Sequence, residues 1–182
     1  MTKYSELVEK LEQRGITFDS GLSDSEMIKI QEIYNINPPE TLKIFYKQGL
    51  PISDGFCNWR DYSEENIKQI KQIMKYPIDS VKENYDEIVW PESWGKEPWD
   101  KKSAIYDKLN TAPSLIPVYS HRYIPACEDM DKELPVFSIH DVDVIYYGEN
   151  LYSYLQIEFG MKDYIEMDEE KIVSVPFWGD LI

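Results

Sequence analysis

The sequence is short of the residues that most chemistry needs. His121 and His140 are the only histidines, and Cys57 and Cys127 the only cysteines. Neither cysteine has a partner at close spacing, which argues against a zinc ribbon or a disulfide scaffold and fits a reducing compartment. No apolar run approaches the roughly 20 residues needed to cross a bilayer. The opening residues Met1-Thr2-Lys3-Tyr4-Ser5-Glu6 lack the apolar segment of a signal peptide, so the expectation is a cytoplasmic protein. No glycine-rich phosphate loop, Walker pattern or nucleophile elbow occurs. Positive charge is also scarce: nineteen Lys and Arg against thirty-four Asp and Glu leave a formal net charge of −15. Such a surface repels nucleic-acid phosphates and anionic lipid, and it favours rapid encounter with a basic partner. Direct nucleic-acid binding and membrane attachment are therefore not expected.

What is present reads as an ordinary folded chain. Its 182 residues fit one domain and bury enough surface to fold without a metal or a disulfide. Tyr4, Leu7, Val8 and Leu11 recur at helical spacing, and Gly15 follows as a stop. Ser23 and Glu26 form a capping box for a second helix, with Met27, Ile30, Ile33 and Tyr34 as its buried stripe. Pro38-Pro39 forbids helix before it and permits one after it, with Leu42, Phe45 and Tyr46 facing one way. Ser63 opens a further helix carrying Ile67, Ile70 and Met74, which is expected to break near Pro77. Residues 89–99 hold Trp90, Trp94 and Trp99 among prolines and suit an irregular crossing, followed by a short helix over 102–109.

The second half turns to strands. Residues 115–119 and 122–125 predict short strands around a turn, and 136–140 with 142–147 predict a hairpin across Asp141. Asn150 caps a last helix over 151–159, ended by Gly160, and an acidic tail follows in which 172–175 can add a strand. Helices first and strands later make this an α+β chain, with a mixed, mainly antiparallel sheet and helices packed on one face. The expected layout is a single domain over 1–182, with a core at about 20–160 and an acidic extension over 161–182.

Four stretches, in their order and spacing, resemble the SUKH superfamily. They are Gly21-Leu22-Ser23-Asp24-Ser25-Glu26; Ile36-Asn37-Pro38-Pro39-Glu40-Thr41-Leu42-Lys43-Ile44-Phe45-Tyr46; Gly49-Leu50-Pro51 to Asn58-Trp59-Arg60-Asp61; and Leu115-Ile116-Pro117-Val118-Tyr119 with Pro135-Val136-Phe137-Ser138-Ile139-His140. The chain departs from the family where Gly49 is followed by Leu50 rather than a second glycine, and in its acidic tail. The resemblance implies binding rather than catalysis. It points to an immunity protein that neutralises a toxin, often a nuclease, or to a regulatory scaffold of cell-wall glucan synthesis. It implies no cofactor. A basic toxin groove would suit the acidic surface, because complementary charge steers and orients encounter.

The candidate site residues are few. Asp129, Asp131, Asp141 and Asp143 sit at two-residue spacing, but they lack the glycine turn and distal glutamate of a calcium loop. Solvated acidic loops are their plainer reading, and a partner-facing surface is the functional one. Cys57 or Cys127 would be a nucleophile only with a histidine such as His140 in hydrogen-bond reach; a buried thiol is the commoner outcome. That arrangement is what an unrecognised hydrolase would need. Trp59 and Arg60 are of the types enriched at binding hot spots. Trp90, Trp94 and Trp99 read either as such a surface or as rings closing the join of helices and sheet. The expected partner contacts are thus Trp59, Arg60, Asp129, Asp131, Asp141 and Asp143, with no catalytic or metal-binding residue.

Overall fold

A computed structural model describes residues 2–126 and 133–182. Cys127, Asp129 and Asp131 lie outside the described residues. The first half is helical: α1 (Lys3–Glu12), α2 (Asp24–Tyr34), α3 (Glu40–Gln48) and α4 (Glu64–Glu83). Each start has a local cause. Thr2 accepts the amide of Ser5 at α1. At α2 the Ser23 hydroxyl accepts the Glu26 amide while the Glu26 carboxylate accepts the Ser23 amide at 2.8 Å, completing the capping box. Pro39 stands at the N-cap of α3, and Ser63 caps α4. Between these helices β1 (Phe18–Asp19) pairs antiparallel with β2 (Leu50–Pro51).

After α5 (Lys101–Leu109) comes an antiparallel meander of β3 (Leu115–Tyr119), β4 (Arg122–Pro125), β5 (Val136–His140) and β6 (Asp143–Gly148), in that spatial order. The β5–β6 hairpin turns at Asp141, whose φ is 53°, and His140 pairs with Asp143. Asn150 then caps α6 (Leu151–Glu158). The class is α+β, as expected, and every described strand pair is antiparallel.

The sheet is covered more fully than a one-sided layer requires. Alternate strand residues point to opposite faces. Ile116, Val118, Ile124 and Val136 pack with α1, α2, α3 and α6. Leu115, Tyr123, Phe137 and Ile139 pack with Val81 of α4 and with Ile105 and Leu109 of α5. Helical cover therefore lies on both faces, which explains why β4 is buried along its whole length.

Two local expectations are corrected. Helix α4 does not break at Pro77 but continues to Glu83. Residues 172–175 form no strand; short 3-10 turns at Glu169–Lys171 and Trp178–Leu181 flank them. The acidic extension contributes to the core, since Val175, Phe177 and Trp178 are buried with Phe137 and Ile139, and the Trp178 indole N–H donates to the carbonyl of Pro113 at 2.8 Å.

Candidate functional site

Trp59 and Arg60, the sequence's most conspicuous pair, part ways: Trp59 is buried, and Arg60 is a half-buried side chain engaged in ion pairs. Trp59 is 1% exposed, its indole N–H donates to the Tyr46 hydroxyl at 3.1 Å, and its ring meets Tyr34 edge-on at 5.2 Å. A side chain this buried offers nothing to a partner. Arg60 donates through Nε to Glu26 Oε1 at 2.7 Å and through Nη1 to Asp19 Oδ2 at 2.7 Å, and Nη2 reaches the carbonyl of Gly21. It ties β1 and the start of α2 to the loop before α4. The Arg60 guanidinium, with the Ser23 amide and hydroxyl, holds the Glu26 carboxyl down at about 2. The expectation of a binding surface is corrected for Trp59, which is buried, whereas Arg60 stays partly exposed while paired with carboxylates 34 and 41 positions away in the chain.

The tryptophan-rich crossing divides. Trp94 stacks on Phe177 at 5.6 Å and donates to Asp180 at 2.8 Å, and Trp90 packs edge-on against Trp94. These two close the join between the crossing and the C-terminal turn. Trp99 does not share that role, since its side chain is fully exposed.

A concavity of about 620 Å³ lies between the first half of α4, the loop over 55–58 and the β3–β4 turn. Gly55, with φ of 95°, lets the loop lie against the Tyr119 ring, where a side chain would collide. Cys57, Asn66, Gln69, Gln72, Tyr76 and His121 contribute to the lining, which contains no Asp, Glu, Lys or Arg. An uncharged cleft of this kind offers amide and hydroxyl hydrogen bonds. Burial pushes the Cys57 thiol up to about 12, so it stays protonated at neutral pH. His121 is held below the usual histidine range by burial and then by the neighbouring Arg122, and its Nδ1 lies 3.2 Å from the Ser120 hydroxyl. Among the described residues no hydrogen bond joins Cys57 to a histidine, and no group of three or more potential metal ligands occurs.

The acidic hairpin stands at the rim of this cleft. The Tyr76 hydroxyl donates to Asp141 Oδ1 at 3.0 Å and lies 3.2 Å from the Asp141 amide, which donates to it; together these bonds clamp the hairpin tip to α4. His140 Nδ1 lies 3.4 Å from Asp141 Oδ2, and the two histidine rings meet edge-on at 6.4 Å. Asp141 and Asp143 are both exposed. The structure thus gathers His121, His140, Asp141 and Tyr76 and leaves Trp59 and Arg60 apart. Tyr76 was not singled out from sequence; its place on α4 next to the hairpin depends on a contact 65 residues long.

No protein-family model, curated protein or solved structure matches the chain significantly.

Proposed function

We propose that the protein is a non-catalytic binding domain that acts as an immunity protein, occupying and neutralising a cognate bacterial toxin whose surface is basic, as a nuclease's is. The carrying observation is the net charge of −15, with Asp141 and Asp143 exposed at a hairpin tip that Tyr76 holds rigid. An exposed carboxylate pair on a hairpin clamped through Asp141 suits recognition of Lys and Arg, because complementary charge orients the encounter and the hairpin needs little further ordering. The ordered stretches between Gly21 and Phe159 that resemble the SUKH superfamily support the same reading. The protonated, unpartnered Cys57 makes a poor nucleophile, so the cleft favours recognition over chemistry.

The test is co-purification with a basic toxin encoded beside it, at low and then raised salt. A complex that weakens steeply as salt screens the charges, and that is lost with Asp141→Lys/Asp143→Lys, supports the assignment. Absence of any complex at low salt would overturn it.

A further inference from the structure

Among the described residues strand β6 ends the sheet, with β5 on one side only. In an antiparallel ladder the N–H and C=O of one residue point the same way, and successive residues alternate. The carbonyl of Tyr146 points outward, since it accepts the Tyr164 hydroxyl at 2.9 Å. Val144, two residues earlier in the same regular register, must point outward as well. Among the described residues no hydrogen bond reaches the amides of Val144 and Tyr146 or the carbonyl of Val144 from that side. Edge strands are commonly blunted by lysine, proline or a covering element. Here the 143–148 segment carries neither residue; the Tyr164 hydroxyl caps the Tyr146 carbonyl and the Trp178–Leu181 turn packs against the strand, while the main-chain groups of Val144 take no described bond on that side.

A groove of about 440 Å³ runs beside this edge, with Ile145 and Tyr146 on the strand side and Tyr164, Met167, Ile172 and Ile182 on the opposite wall. Ile145, Tyr164 and Ile182 are 38%, 43% and 55% exposed, so large apolar side chains gather at a place water reaches. Acidic side chains accompany it: Glu169 lines the groove, Asp143 begins the strand, and the tail that forms the opposite wall also carries Asp163, Glu166 and Glu170. Lys171 is engaged by Asp168 at 2.6 Å and Lys162 by Glu149 at 2.7 Å, so the nearby cations are already paired.

Resting on the protein-binding reading above, we infer that the open edge of β6 takes an extended segment of the partner as an added strand, one in which basic residues alternate with apolar ones. The backbone of that segment bonds to the amide and carbonyl of Val144 and to the amide of Tyr146, whose carbonyl Tyr164 already holds. Its apolar side chains enter the groove between Ile145 and the tail, and its cations meet the acidic rim. This is strand addition, in which main-chain bonds supply affinity and alternate side chains supply specificity.

The probes are two peptides of equal length and charge, one alternating lysine with valine and the other lysine with proline. Proline keeps the charge but removes every second backbone donor. The expected result is salt-sensitive binding of the valine peptide, at least tenfold weaker binding of the proline peptide, and slowed amide exchange at Val144 and Tyr146 on addition of the first. Ile145→Lys should weaken the valine peptide about tenfold, with an unchanged circular dichroism spectrum showing that the fold is kept. Equal binding of both peptides without protection at Val144 and Tyr146 would overturn strand addition while leaving a charge-driven binder intact. Failure of the valine peptide to bind would also overturn it. The toxin co-purification is read separately, so loss of the binding assignment and loss of this docking mode give different results.

Discussion

The phenol of Tyr123 on β4 donates to the carbonyl of Ile73 in α4 at 3.2 Å, and that carbonyl is the one whose helical partner Pro77 removes. Proline inside a helix has no N–H to give to the residue four positions before it. Burial pushes the Tyr123 phenol up, so it remains a protonated donor. The sheet thereby repairs the helix, and α4 carries on to Val81, which packs beneath β4 and β5.

Tyr123→Phe should then cost about 1–3 kcal/mol, because it leaves a buried carbonyl without a donor. In a Pro77→Ala background, residue 77 regains its amide and the same change should cost clearly less. Urea unfolding of the four proteins measures the coupling. Simple additivity would mean that the hydroxyl is not substituting for the missing amide.

Arg60 should make stability depend on acid. The Glu26 carboxyl lies at about 2 in the folded protein against an ordinary 4.5. A depressed carboxylate stabilises the fold fully above its ordinary value, and that contribution is lost as pH falls from 4.5 towards 2. Arg60→Met should therefore lower the urea midpoint at pH 7, and the gap from the parent protein should narrow over that acid range. A gap independent of pH would assign the loss to packing instead.

Glu149 is a buried carboxylate, 7% exposed, which accepts from Lys162 Nζ at 2.7 Å and from the Ser153 hydroxyl at 2.6 Å. Burial alone would raise its pKa, but the bonds to Lys162 and Ser153 outweigh burial and hold it down. Lys162→Met should cost about 2–3 kcal/mol, somewhat under the roughly 3–5 of a fully enclosed pair, because the lysine keeps partial contact with water. Adding Glu149→Gln should recover part of the loss, as measured by thermal unfolding.

Cys57 should behave as a core atom. With its thiol pushed up to about 12, little thiolate exists at neutral pH. In a Cys127→Ser background, alkylation by iodoacetamide should be at least about a hundredfold slower than in the unfolded chain. Cys57→Ala should leave partner binding unchanged. Rapid labelling of the native protein would reopen the case for a nucleophile.

The sequence made local structure legible where the cause is local. The Ser23–Glu26 capping box, the turn at Asp141 and the Asn150 cap each lie within a few residues of their effect. It misled where the deciding partner is distant. Pro77 signals a break by itself, and the Tyr123 hydroxyl, 50 residues from the Ile73 carbonyl it bonds, reverses that reading. Arg60 resembled a free cation because Asp19 and Glu26 are brought to it by the fold. Trp99, set among tryptophans that do pack, was indistinguishable from them in sequence. The groove beside β6 could not be read at all, since its two walls come from a strand and from the tail after α6.

The burial of Phe177 and Trp178 also bears on the order of folding during synthesis. Strands β3 to β6 can pair as soon as they emerge, but one face of the sheet lacks these two rings until residue 178 has left the ribosome. Until then Phe137, Ile139 and Val144 present an incompletely covered apolar surface to the cell. The nascent chain therefore passes through a sticky stage between the emergence of β6 and that of residue 178, and its yield should depend on chaperone supply more than its final stability would suggest.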